Sequence, residues 1–286
     1  MADENDVDDR PLSGELRPPD WKGMDDFAAG IDGNRLPATE LLAGQELTVS
    51  APGRPDLHLS YLSADRVAWT SGDEQGTDWY EAIAVRPHVL FQTITFDAKP
   101  LEAAVLVVNT ETRRTLHVES VIAPRPTPGR PRVSQTFTAV VLAGTEPGGT
   151  EPGGTEPGGS EPGGSAPGPT RDLIGWRALY RYSPNHLYEH VYLSSERYAW
   201  QCLVGEQRGH GDVDLATTWS LGDSLYVFTF REFLIPVAAT WLYDLDQMRS
   251  TGTFFGLASD GRVQRAPGGA FISELGRVVY PDDQPV

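Results

Sequence analysis

One phrase occurs twice in this chain, and its spacing constrains the fold more than any other feature. Tyr61-Leu-Ser-Ala-Asp-Arg-Val-Ala-Trp69 returns as Tyr192-Leu-Ser-Ser-Glu-Arg-Tyr-Ala-Trp200, 131 residues later. The same offset lays Leu42-Ala-Gly44 on Leu173-Ile-Gly175. After five extra residues in the second copy, Val89-Leu-Phe-Gln-Thr93 falls on Leu225-Tyr-Val-Phe-Thr229. Matching anchors in one order with a single insertion mean a tandem duplication. The 286 residues therefore divide into two similar units, 40–143 and 171–286, and 39% hydrophobic residues with seven tryptophans can furnish a core for each.

Between the units runs TEPGG at 145–149, 150–154 and 155–159, then SEPGG at 160–164 and SAPGP at 165–169. A proline in every unit and no large apolar side chain leave nothing to bury, so residues 144–170 are expected to be a disordered tether. Residues 1–39 are expected to be a disordered acidic lead, with at most a short helix near Asp25–Ala29. The halves should then fold independently.

Each copy breaks into segments of five to eight residues rich in Val, Tyr, Phe, Trp and Thr with turn residues between them, for example Ala178–Tyr182, Tyr188–Leu193 and Ser224–Arg231. Sequential strands with tight turns predict an all-β fold: two antiparallel up-and-down barrels, closed so that no edge is left exposed. A barrel of about eight strands is just wide enough for one small ligand. A sandwich is the alternative.

A formal net charge of −17 with no basic cluster argues against a nucleic-acid partner. Cys202 is the only cysteine, no stretch approaches 18 apolar residues, and the acidic start has no hydrophobic signal core. The expectation is a cytoplasmic protein with no membrane partner.

The interiors of the two copies differ. Alternation along Trp176-Arg-Ala-Leu-Tyr-Arg-Tyr182 places Tyr180 and Tyr182 on the face opposite Arg177 and Arg181, hence inward. By the same rule Glu189 is expected inward with Leu187 and Val191, and Glu232 with Phe228 and Phe230. Copy one has Val49, Ala51, His58 and Phe96 opposite Tyr180, Tyr182, Glu189 and Glu232. Buried carboxylates in an apolar pocket have raised pKa values and suit acid–base work. The plainer reading makes the tyrosines core and the glutamates rim residues. An inward carboxylate is expensive unless paired, which tips the set toward a site. His186 and His190 lie four apart but not on a helix, His88, His117 and His210 read as surface residues, and Cys202 as core. No nucleotide loop, nucleophile elbow or HExxH motif is present, so no metal, flavin or nucleotide cofactor is expected.

Copy two, through Asp172-Leu-Ile-Gly-Trp176, Tyr180-Arg-Tyr-Ser-Pro-Asn-His-Leu-Tyr-Glu-His190, Trp200-Gln-Cys-Leu203 and Arg231-Glu-Phe-Leu-Ile-Pro236, resembles the molybdenum cofactor biosynthesis protein F (MoaF) family. Copy one, with Tyr80-Glu-Ala-Ile-Ala-Val-Arg-Pro87, is similar to that family's N-terminal domain. The resemblance implies two lipocalin-like (calycin) barrels and a link to molybdopterin. The linker departs from the family pattern, which suggests little fixed geometry between the barrels. A more distant resemblance is to phenolic acid decarboxylases, cofactor-free barrels that work through a Tyr-x-Tyr strand, a loop arginine and a strand-end glutamate. It implies catalytic roles for Tyr180, Tyr182, Arg208 and Glu232, although Phe-Arg-Glu-Phe replaces the usual Trp-Thr-Glu-Pro.

The leading expectation is a cofactor-independent lyase, isomerase or cyclase acting on a small aromatic or unsaturated substrate in the C-terminal barrel. Arg208 and the tyrosines would hold a carboxylate or enolate oxygen, and Glu232 would move the proton. Glu189, Tyr192, Trp200, Trp219, Phe230 and Trp241 would complete the substrate-binding wall. The N-terminal barrel would be free to serve as a lid, a homodimer surface or a spare pocket. The alternative is a non-catalytic small-ligand-binding or accessory protein of molybdenum cofactor biosynthesis, and a third reading is a scaffold.

Overall fold

The computed structural model describes residues 20–143 and 164–280, with positions 283 and 285. Strands β1 (Glu46–Ser50), β2 (Leu57–Tyr61), β3 (Arg66–Ser71), β4 (Glu74–Arg86), β5 (Val89–Phe96), β6 (Lys99–Asn109), β7 (Arg114–Ile122) and β8 (Val133–Ala143) form an antiparallel barrel in sequence order, closed by β1 on β8. After the two-residue β9 (Gly168–Pro169), the plan repeats with β10 (Trp176–Ser183), β11 (His186–Tyr192), β12 (Arg197–Val204), β13 (Gly211–Gly222), β14 (Leu225–Arg231), β15 (Val237–Asp244), β16 (Arg249–Leu257) and β17 (Val263–Arg277). This barrel closes through β10 on β17.

Period-two burial is clean where one face of a strand meets solvent. In β10, Trp176, Ala178, Tyr180 and Tyr182 are buried and Arg177 and Arg181 exposed. It vanishes in β15, buried along its whole length, and over most of β5. Those strands are covered twice: Gln92, Ile94, Trp241 and Tyr243 face the two interiors, while Phe91 and Leu242 face the other barrel. Ile83, Val107 and Leu116 join Leu225 and Val227 in that inter-barrel layer, and Phe137 stacks on Trp219 at 5.8 Å. At its edge Arg86 clamps the buried Asp244 carboxylate through two hydrogen bonds of 2.7 Å.

The segment before the first barrel belongs to the second. Helix α1 (Met24–Phe27) and Ile31 bury Met24, Phe27 and Ile31 to 3% exposure or less inside the C-terminal barrel's core. Trp21 stacks on His210 at 4.8 Å. Asn34 donates from its backbone to Tyr182 O (2.8 Å) before Thr39 N reaches Ala82 O of the N-terminal barrel. Three expectations are thereby corrected. Residues 20–39 are an ordered strap, because Trp21, Met24, Phe27 and Ile31 find an apolar mouth to fill. Residues 164–170 are ordered, with Gly168–Pro169 paired to Ser220 and Trp219. The barrels are joined by an apolar interface and a strap as well as by the expected tether. The rest of the expected lead and tether, 1–19 and 144–163, lies outside the described residues.

Candidate functional site

The two barrels have the same frame and opposite interiors. In the N-terminal barrel a cavity of about 560 Å³ opens to one end. Val49, Leu59, Trp69, Ile94, Phe96 and Val140 give it an apolar wall. Two polar groups enter from β7, where Leu116 and Val118 take the inter-barrel face and alternation turns His117 and Glu119 inward. His117, expected at the surface, is thus a cavity residue. Its buried Nε2 has no hydrogen-bond partner among the described residues, and burial holds the imidazole below its ordinary pKa, hence neutral. Burial pushes the Glu119 carboxyl up, but Arg54, His117 and Thr136 outweigh it and the net shift is downward. Glu119 accepts from Arg54 Nη1 at 2.9 Å and Thr136 Oγ1 at 3.0 Å. Lys99 Nζ, which also lines the cavity, donates to both oxygens of Glu74, at 2.7 and 2.8 Å.

The C-terminal barrel is nearly filled, with about 20 Å³ left open. Register explains the contrast. Across the β6–β7 pair Leu106 faces His117, and at the matching β15–β16 position Trp241 faces Gly252. The indole occupies the room that the other barrel leaves empty, and a side chain at Gly252 would collide with it. Around it runs a buried phenol chain: Tyr180 and Tyr192 hydroxyls at 2.6 Å, then Tyr192 donating to Tyr243 at 2.9 Å. His190 stacks on Tyr180 at 4.1 Å, and burial lowers its pKa to about 3, so it is neutral. Asp214 accepts from Trp200 Nε1 (2.9 Å) and Phe233 N (3.1 Å), yet burial raises it to about 7. Glu232 lines the remaining space with no hydrogen-bond partner for its carboxyl among the described residues. Burial, then Asp214 and Asp212, push it well above the carboxylate range, which favours the protonated acid.

Seven candidates from the sequence do converge on this interior: Tyr180, Tyr182, Tyr192, Trp200, Phe230, Glu232 and Trp241. Three do not. Arg208 is exposed in the turn after β12, and the neighbouring Gln207 turns in instead, accepting from Tyr188 Oη at 3.0 Å. Glu189 faces outward, paired with Arg177 and accepting from Gln201 Nε2 at 2.6 Å, because Tyr188, His190 and Tyr192 take the inner face of β11. Trp219 faces the other barrel, against Phe137. Sequence reasoning missed His190, Tyr243, Gln207 and Asp214. Asp214 was legible as the partner of Asp78 at the later offset of 136. Trp69 Nε1 donates to Asp78 at 2.7 Å, and Asp78 accepts from Asp97 N, as Asp214 does from Phe233 N. The duplication has kept this buried Trp–Asp clasp in both barrels. Without Arg208, no Lys or Arg among the described residues lines the C-terminal interior to hold a carboxylate.

Comparison with known proteins agrees with the two-barrel division. Residues 19–124 match the MoaF N-terminal domain and residues 167–278 the MoaF C-terminal domain. Protein MoaF of Klebsiella aerogenes is 35% identical over 252 residues, 83% of this chain and 88% of that protein. A crystal structure from Burkholderia vietnamiensis, of a protein provisionally named a beta-lactamase, aligns at 12% identity with a TM-score of 0.31, over 36% of this chain and 95% of that one. That likeness is too slight to carry an argument. The two domain matches and a relative 35% identical over most of its length lead to one conclusion: the chain belongs to the MoaF family.

Proposed function

We propose that this protein is a non-catalytic small-molecule-binding protein with an accessory role in molybdenum cofactor biosynthesis, its ligand seated in the N-terminal barrel. One observation carries the binding reading: a 560 Å³ apolar cavity with a few convergent polar groups in one barrel, against a side-chain-filled interior in the other. The family's name supports the biosynthetic setting. The mouth and wall hold Arg54 and Lys99 against Glu74, Glu102 and Glu119, so a multiply phosphorylated pterin would meet net negative charge. The ligand that fits is neutral, largely apolar, and able to hydrogen bond His117. Ala104→Trp fills the cavity from β6 without touching the mouth. It should weaken uptake of the neutral fluorophore N-phenyl-1-naphthylamine by more than about tenfold, since shape-filled pockets exclude their ligands. In a host lacking this chain, the same variant should fail to restore molybdoenzyme activity that the unaltered protein restores. Restoration by Ala104→Trp would end the cavity-based account.

A second reading, acid–base chemistry on a small substrate in the C-terminal barrel, is favoured by Glu232 alone. It is a carboxyl held protonated beside Tyr188 and Tyr198 in an apolar enclosure, the setting that suits a general acid. Substrate entry would require the Phe27 and Ile31 side chains to withdraw.

A further inference from the structure

The residual space in the C-terminal barrel is a box of aromatic faces with one carboxyl on its wall. Tyr182, Tyr188, Tyr198, Trp200 and Phe230 surround it, Glu232 completes it, and Phe27 and Ile31 of the strap close it. Among the described residues its lining contains no Lys or Arg. The guanidinium groups of β12 and β14 belong to the outer face: Arg197 lies over Phe233, and Arg231 donates to Thr217 Oγ1 at 3.0 Å. His190, the one histidine among the described lining residues, is neutral. Asp214 and Asp212 add to the negative potential at Glu232. Ring faces carry the negative lobe of the aromatic quadrupole, and Glu232, protonated in the closed barrel, gives up its proton when an ammonium is set against it, so walls and acid then act in the same direction. One further buried polar atom able to accept a hydrogen bond, His190 Nδ1, has no partner among the described residues. Such a group costs stability unless something occupies the site and bonds it.

From these features we propose that the C-terminal barrel holds a second binding site, for a small organic cation of the aryl-alkyl ammonium class, stoppered in this state by Phe27 and Ile31. The ammonium would sit among the ring faces against Glu232, and the aryl group would take the place of the Phe27 ring, which packs edge-to-face on Phe254 at 5.1 Å. The stopper can leave because it is a four-residue helix on a strap, not a strand of the barrel. The tie from Asp25 Oδ1 to Ser259 N (2.9 Å) and Oγ (2.8 Å) is exposed, and the Asn34 N to Tyr182 O bond lies beyond Ile31 and can hold while the helix lifts. The inference is independent of both readings above: the occupant need not be converted, and its seat is not the N-terminal cavity.

The test uses the full chain and three probes of one shape: phenethylammonium, neutral 2-phenylethanol and anionic phenylacetate. Titration calorimetry on the Phe27→Ala/Ile31→Ala variant should show phenethylammonium binding at least about tenfold tighter than 2-phenylethanol, with phenylacetate not binding. Adding Glu232→Gln should erase that preference, and adding Ala104→Trp should leave it intact. Equal binding of amine and alcohol, or a preference that survives Glu232→Gln, would overturn the proposal. So would absence of amine binding to an opened variant that keeps its near-ultraviolet dichroism. If the opened variant does not fold, hydrogen exchange on the unaltered protein decides. Saturating phenethylammonium should speed exchange of the Phe27 and Ala28 amides, and no change would reject the site.

Discussion

An ionisable side chain enclosed by aromatic rings has one low-energy form, and Glu232 shows what that means for the folded chain. Its pKa is raised well above the carboxylate range by burial, then by Asp214 and Asp212. An unfolded chain releases this proton near the ordinary glutamate value, about 4.3, while the folded chain keeps it. The stability contributed by the protonated form is therefore fully present below that value and is lost as pH climbs toward the folded pKa. Glu232→Gln keeps the shape and cannot ionise. The variant's melting temperature minus that of the unaltered protein should rise from pH 5 to pH 8. His190, displaced downward, titrates in both proteins and drops out of the difference, and Asp214, coupled to Glu232 by charge, acts in the same sense because removing the Glu232 charge eases its ionisation. A gap that is flat or narrows over this range would mean Glu232 is ionised and paired inside the barrel.

At the scale of a strand, the two interiors were set apart by choices that alternation alone does not reveal. β10 read correctly because its outer face carries Arg177 and Arg181, charges that only solvent accepts. β11 read one residue out of register because both its faces offer a plausible interior. Leu187 and Val191 flank Glu189 on one side, while Tyr188, His190 and Tyr192 make up the other. Cross-strand neighbours decided it: Arg177 and Gln201 supply partners for a carboxylate on the outer face, and the inner face supplies rings for His190 to stack on. Trp219 was misplaced for a related reason, since its outer face is covered by the other barrel and apolar residues there look like core. The filling of the second barrel depends on a glycine rather than on any large residue alone. A Cβ at Gly252 would lie 2.9 Å from Trp241 Cα and closer still to the indole and Thr240 O. Gly252→Ala should cost about 1–3 kcal/mol or more, the range for overpacking a tight core, and lower the melting temperature accordingly. If it is neutral, Trp241 does not occupy the space assigned to it and the volume contrast between the barrels needs another cause.

For the molecule as a whole, the duplication, the strand inventory and both closed barrels were legible, because repeated phrases and period-two patterns are local signals. The assembly was not, because it depends on a strap whose acidic surroundings and single helical turn hide its purpose. Asp25 and Asp26 sit beside Met24 and Phe27, and only the apolar ones are buried. The chain begins its described course at the mouth of the second barrel, crosses to build the first, and then returns to build the barrel it has already capped. This order has an energetic consequence. Burying a side chain such as Met24, Phe27 or Ile31 is worth roughly 1.5–3 kcal/mol, so the three together reach roughly 5–9 kcal/mol as an upper bound. A whole domain of this size holds about 5–15 kcal/mol in reserve. A chain cut to residues 164–286 would lose that contribution. It would also expose Leu225, Val227 and Leu242 of the inter-barrel layer and leave Asp244, 1% exposed in the intact protein, without Arg86. Such a fragment should therefore unfold well below the intact protein or aggregate, and a peptide spanning residues 20–36 should raise its melting temperature by occupying the mouth. The intact chain should melt in one cooperative step, with amides of Phe91 in one barrel and Leu242 in the other exchanging through the same opening event. A fragment as stable as the full chain, or two separate transitions in the full chain, would show that strap and interface add little and that the barrels stand alone.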